Sequence, residues 1–268
     1  MNSLQEMCVR QHESRDARDA YDLIVCLGGN CSAAAQLRIR GLRHMALPFD
    51  WLYIVDERPL IWLADHVADN WELLCLKENL MEITPDHSEW TDEHLDCAKY
   101  VDVESGYRFI NHFKASADFE EEYLRVCETL RRRIERLVSI CRHGRVLFLL
   151  ATEIRVSDAV LERVLSAFGG AFPASHFELR YLHFGSDEWM ERDCGAVHIV
   201  EIGRRQNRYD FVKTNFEWAF LDDVRVADMA NESFRPTEYD RWRRYLAITA
   251  KMALPYGIVR GVQKWRCR

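Results

Sequence analysis

The chain has 268 residues, of which 48% are hydrophobic and 29% are charged, and its formal net charge is −7. This length and composition exclude a fibrous or disordered protein and favour one large domain with short appendages. An acidic chain is a poor candidate for nucleic-acid binding. No stretch approaches the roughly 20 apolar residues of a membrane-spanning helix.

The nine cysteines point to free thiols. Their number is odd, no two form a CxxC pair, and the first residues contain no apolar run of signal-peptide length. We therefore expect a reducing compartment, the cytoplasm, with neither disulfides nor a structural metal site. Nothing in the sequence calls for a cofactor.

The first elements bring a cysteine to the start of a helix. Residues 1–20 are polar and indicate a flexible arm. Tyr21–Leu27 is an apolar run that predicts a buried strand, and Gly28-Gly29 predicts a tight turn. The alanine-rich segment Cys31–Arg40 then predicts a helix that ends at Gly41.

Two further helices are predicted in the first 142 residues. One spans about residues 58–69, with Pro59 in its first turn. The other spans about residues 118–142, where apolar residues recur at spacings of three and four. It carries the basic cluster Arg131–Arg136, which favours a solvated helix face, with the binding of a phosphate or nucleotide-sugar substrate as the alternative. The segment between Trp71 and Phe113 has no regular period and is interpreted as irregular.

The last elements define the fold class. Apolar runs at 145–151, 177–184 and 196–202 predict strands, with a helix near 157–168. Together they predict an α/β fold, a mostly parallel sheet with helices on both faces. We expect one α/β domain over residues 21–240.

Residues 241–268 form a distinct basic segment. They contain eight basic residues and no acidic ones, mixed with aromatic residues. This composition favours an amphipathic tail that contacts the inner membrane surface peripherally, with an RNA contact and a plain packed helix as the alternatives.

The segment around Cys31 is the best candidate for chemistry. A cysteine acts as its thiolate, and unpaired N–H groups at a helix N-terminus stabilise that anion. The backbone groups of Gly28, Gly29, Asn30 and Ser32 are candidates for oxyanion or substrate binding.

The same segment resembles a family of bacterial proteins of unknown function that is named for papain-like cysteine peptidases. The resemblance covers about residues 21–150 and is most specific in its first thirty residues. These letters carry it: Leu27-Gly28-Gly29-Asn30-Cys31, Ala34, Leu37-Arg38, Gly41-Leu42-Arg43 and Pro48-Phe49-Asp50-Trp51.

The resemblance implies that Cys31 is a nucleophile and that a histidine is its base. His112 lies in the segment that matches the family's histidine, and His183 and His198 are the alternatives. Asp50, in the PFDW match, is the candidate to orient the histidine or to bind substrate. Asn30 is a candidate oxyanion donor or helix cap.

Three functions remain open from the sequence. The first is cysteine-dependent acyl transfer by a peptidase, amidase or acyltransferase acting on a peptide or small molecule. The second is a transferase or sugar-nucleotide-binding protein of glycan assembly at the inner membrane surface, with a phosphate on the Gly28-Gly29 turn. The third is a non-catalytic interaction module. The sequence predicts neither the substrate nor the oligomeric state.

Overall fold

The computed structural model describes residues 20–29, 31–43, 45–83, 96–186, 189–203, 216–221 and 223–227. The predicted arm up to residue 19 and the basic segment 241–268 lie outside these ranges, as do Asn30 and the side chain of Cys31. The α-helices are α1 Cys31–Ile39, α2 Arg58–Asp65, α3 Phe119–Cys141 and α4 Asp158–Ala171. The strands are β1 Leu23–Gly29, β2 Leu52–Tyr53, β3 Leu80–Glu82, β4 Cys97–Asp102, β5 Arg108–Lys114, β6 Arg145–Thr152, β7 His176–Ser186, β8 Met190–Cys194 and β9 Val197–Gly203.

A five-stranded sheet in the order β1-β6-β7-β9-β8 forms the centre of the protein. The first four strands run parallel, and β8 pairs with β9 in the antiparallel direction. All seven residues of β1 are buried, as expected for a parallel strand that is covered on both faces. The predicted α/β fold with a mostly parallel sheet is confirmed.

Both faces of this sheet are packed, because successive strand residues alternate between them. Leu23, Val25 and Leu27 pack into a large core that includes residues of α3 and α4. Ile24 and Cys26 face the other way and pack with α1 and with the short 3-10 helix Phe216–Leu221. Helices therefore cover both sides, as predicted.

A second sheet was not predicted. It is antiparallel, in the order β2-β5-β4-β3, and most of it falls in the segment that the sequence indicated as irregular. Its strands are short or only partly buried, so they lack the continuous apolar runs that identified the parallel strands. Strand β8, with the sequence MERDC and no buried residue, was missed for the same reason.

The helix boundaries agree closely with the sequence prediction. The Asp118 carboxylate caps α3 by accepting hydrogen bonds from the N–H groups of Glu120 (2.9 Å) and Glu121 (3.2 Å). Helix α2 ends four residues earlier than predicted, at Asp65, and is followed by turns. Within the described ranges, no helix has both the length and the apolar character needed to cross a bilayer.

Candidate functional site

The turn after β1 depends on two glycines. Gly28 has φ +91° and Gly29 has φ +102°, a region that side chains disfavour. A Cβ atom at Gly29 would lie 2.2 Å from the carbonyl oxygen of Ala151 on β6. At Gly28 it would lie 3.1 Å from both the Leu52 oxygen and the Tyr107 ring. The glycines allow the chain to turn while it packs tightly against its own backbone.

Cys31 is the first residue of α1, directly beyond this turn. The Tyr107 hydroxyl donates a hydrogen bond to the Leu27 carbonyl at 3.1 Å and so fixes the end of β1. Ala33 and Ala34 are fully buried, because small side chains let the first turn of α1 lie close to the sheet. The order strand, glycine turn, cysteine, helix is therefore as predicted.

The two halves of the sequence motif are joined by a partly buried ion pair between Arg43 and Asp50. Asp50, 2% exposed, accepts hydrogen bonds from Arg43 Nε (3.1 Å) and Nη2 (2.5 Å) and from the Leu47 N–H (2.8 Å). The Arg43 guanidinium also lies over the Trp51 ring, 5.5 Å from its centroid. Burial raises the pKa of Asp50, and Arg43 opposes that effect. These bonds explain why Asp50 is needed for the local structure; its predicted role toward a histidine stays a prediction.

Asp50 also reaches the central sheet. The Cys26 thiol of β1 is fully buried, and its pKa is raised first by that burial and then by the neighbouring Asp50 charge. Cys26 is therefore a protonated structural thiol. Sequence reasoning did not identify Arg43 as the partner of Asp50, although an aspartate in an otherwise apolar segment signals that a cation is needed nearby.

His112 lies on β5 and is surrounded by positive charge. Both ring nitrogens are buried and have no hydrogen-bond partner within the described part of the chain. Burial, and after it the positive charges of Arg133 and Arg125, lower the pKa of His112 from 6.5 to about 3. Arg125 donates a hydrogen bond to the His112 carbonyl oxygen at 2.5 Å, and the ring lies edge-on to Phe109 with centroids 5.2 Å apart. The imidazole is neutral at physiological pH.

His112 lines a cavity of about 660 Å³ between β5 and α3. Trp51, which also packs against the core cluster containing α1 residues, forms part of the same wall. Arg133 is the member of the predicted basic cluster that lines this cavity. Arg131 is exposed and pairs with Glu128 at 2.9 Å, so the prediction of a solvated face holds for it and fails for Arg133.

His183 lies at a different place, the edge of the sheet where the parallel strands end. Thr152, His183 and Glu201 are side by side on β6, β7 and β9, and the Gly29 turn abuts Thr152. The His183 Nδ1 atom is 3.7 Å from Glu201 Oε2, and Arg155 donates to the same oxygen at 2.9 Å. His183 is 6% exposed and Glu201 is 5% exposed. This edge is also where α1 begins.

His198 lies near the opposite end of β9 and contacts Asp193 at 2.7 Å and Glu191 at 3.1 Å. Of the two candidate histidines on the parallel sheet, His183 is therefore the one at the edge where α1 begins. Glu201 was not singled out from the sequence, since only the register of three strands brings it beside His183. Within the described residues, no three His, Cys, Asp or Glu side chains converge as a metal site requires.

Fold and site together define an α/β protein with a mostly parallel sheet. A buried strand of this sheet ends at a glycine turn, and a cysteine follows as the first residue of the next helix. The model of one protein family, described as "Putative papain-like cysteine peptidase (DUF1796)", matches residues 22–179. The chain belongs to this family, as its motif indicated. The match includes Cys31, Asp50 and His112, whereas His183 lies beyond it. No curated protein and no solved structure matches the chain.

Proposed function

We propose that the protein is a cysteine-dependent acyl-transfer enzyme in which Cys31 is the nucleophile. The observation that carries the proposal is the position of Cys31 as the first residue of α1, after a buried strand and two glycines with positive φ. Membership of a family named for cysteine peptidases supports it. Peptidase, amidase and acyltransferase activities share this first half-reaction.

The helix start supplies the electrostatics that the reaction needs. The Cys31 thiolate attacks a carbonyl carbon, a C–S bond forms, and the leaving group departs with a proton to give a thioester. Water or another acceptor then takes the acyl group and frees the thiol. N–H groups in the first turn of α1 have no partner within the helix, so they favour both the thiolate and the oxyanion. Ser32 is 2% exposed, so its contribution would come from the backbone.

The histidine that takes the thiol proton is the second part of the proposal. The sequence prediction of His112 stays a prediction, and the two arginines beside it disfavour a protonated ring. His183 has better support. It lies on the edge where α1 begins, and its Nδ1 is 3.7 Å from Glu201 Oε2, which is longer than a hydrogen bond but places a carboxylate beside the ring. The arrangement follows the general logic of a nucleophile, a base and a group that orients the base.

The alternative, a sugar-nucleotide-binding transferase, receives less support from the turn. Tight packing against β6 and β2 already accounts for Gly28 and Gly29, so their presence does not require a bound phosphate. Contact with the inner membrane through residues 241–268 stays a prediction, as does the cytoplasmic location.

An activated ester tests the proposal. The protein would be incubated with p-nitrophenyl acetate, phenolate release followed, and the acetylated residue identified by peptide mass spectrometry. We expect the acetyl group on Cys31. The rapid first release of p-nitrophenolate, the burst, should be lost in Cys31→Ser. In His183→Gln the burst should be at least tenfold slower than in wild type. A slower burst in His112→Phe but not in His183→Gln would restore His112 as the base. Acetylation confined to other cysteines would refute the role of Cys31.

A further inference from the structure

The cavity between β5 and α3 contains a cation that has no counter-ion among the residues that the structure describes. The Arg133 guanidinium is partly buried, and burial lowers its pKa. Asp50 is the acid whose charge favours ionised Arg133, yet Asp50 is already held by Arg43 at 2.5 Å. Among the described residues, no carboxylate lies within ion-pairing distance of Arg133, whereas other members of its helix, such as Arg131, are paired.

The charge around Arg133 is also positive. Arg125 and Lys114 line the same cavity, and Asp96 is the acidic residue of its described wall. Arg125 is neutralised by Glu122 at 2.6 Å. Arg133 is therefore left as a partly desolvated charge, an arrangement that costs free energy unless another group offsets it.

His112, in the same wall, is a second polar group that lacks a partner among the described residues. Its ring nitrogens have no partner, and buried polar groups are normally paired in native structures. The Arg133 guanidinium and the His112 imidazole line one cavity of about 660 Å³, large enough for a small metabolite. One anionic ligand in this cavity would neutralise the guanidinium and supply hydrogen-bond partners.

We propose that this cavity binds the oxyanion of a small molecule, a carboxylate or a phosphate, through the Arg133 guanidinium. A guanidinium presents parallel N–H donors that match two oxygens of either group. Trp51 provides a flat apolar wall for the rest of the ligand. The proposal goes beyond the proposed function and requires no chemistry at Cys31.

The test measures binding of two probes, inorganic phosphate and succinate, by calorimetry at constant ionic strength. Arg133→Met is compared with Arg132→Met, a matched control one position away on the same helix whose arginine is exposed and lies 3.6 Å from Glu128. We expect at least one probe to bind, with affinity at least tenfold lower in Arg133→Met and within twofold of wild type in Arg132→Met. The stronger probe identifies the oxyanion.

A stability readout separates a ligand site from a structural arginine. Without ligand, Arg133→Met should unfold at the same temperature as wild type or higher, since it removes a desolvated charge. The proposal is overturned if neither probe binds, if the two variants lose affinity equally, or if Arg133→Met is destabilised while Arg132→Met is not. Because no readout involves Cys31, an inactive thiol would leave these results unaffected.

Discussion

Replacing His112 by phenylalanine should make the protein less sensitive to acid. The wild-type imidazole is buried between arginines, and its pKa is lowered from 6.5 to about 3. Below pH 6.5 the unfolded chain therefore takes up a proton that the folded protein does not, so stability falls as the pH falls from about 6.5 toward 3. Phenylalanine keeps a ring against Phe109 and cannot take up that proton.

The size of the effect follows from proton linkage. When only the unfolded state binds a given proton, the free energy of unfolding decreases by about 1.4 kcal/mol for each unit that the pH falls. Between pH 7 and pH 5 most of the interval lies inside the window set by the two pKa values. The wild type should therefore lose about 2 kcal/mol more than His112→Phe over this interval.

Urea unfolding of both proteins at pH 7 and pH 5 provides the measurement, with two-state behaviour checked by two probes. Carboxylates that titrate in the same range cancel in the difference between wild type and variant. The difference should be constant above pH 7.5, which serves as an internal control. An equal loss in both proteins between pH 7 and pH 5 would show that His112 is not held neutral by its surroundings.

Four further substitutions test the structure around the turn and the motif. Gly29→Ala should lose about 3 kcal/mol in denaturant unfolding, because it combines strain at positive φ with a backbone clash; a loss below about 1 kcal/mol would contradict the close approach to β6. Tyr107→Phe should lose about 1 kcal/mol, the value of its buried hydrogen bond, and an unchanged midpoint would argue against that bond. Arg43→Met leaves the Asp50 carboxylate buried without its partner and should lose about 3–5 kcal/mol. The double variant with Asp50→Asn should lose less than the sum of the two single variants, whereas additivity would show that the pair is not coupled.

The sequence predicted the elements that have strong local signals. Strand β1 is a continuous apolar run ended by two glycines, and α3 has a sustained helical period, so each could be identified without its neighbours. The candidate cysteine was identified for the same reason, and its role stays a prediction. Its place beyond the glycine turn depends on letters that are adjacent in sequence.

Features that depend on distant pairing could not be predicted. Strands β3 to β5 are short or only partly buried, and pairing with one another defines them more than any apolar pattern does. The row formed by Thr152, His183 and Glu201 exists only because three strands share one register. Arg133 has no ion pair with any described residue because the nearby carboxylates pair with other arginines, and the composition of the chain does not indicate which pairs form.

The central claim is that the Cys31 thiol is activated by the start of α1, and alkylation kinetics test it most directly. Cys127 would also react rapidly with an alkylating agent, because hydrogen bonds from Cys75 and Tyr123 lower the pKa of Cys127 to about 7. The experiment is therefore run in a Cys127→Ser background. It follows iodoacetamide modification of each remaining cysteine by mass spectrometry between pH 5 and pH 10.

We expect Cys31 to react about tenfold faster at pH 7 than the other accessible thiols, with a midpoint in its pH profile near 7 or below. Should Cys31 instead react at the rate of those thiols, with a midpoint near the ordinary cysteine value, the helix start does not activate it and the acyl-transfer proposal loses its basis.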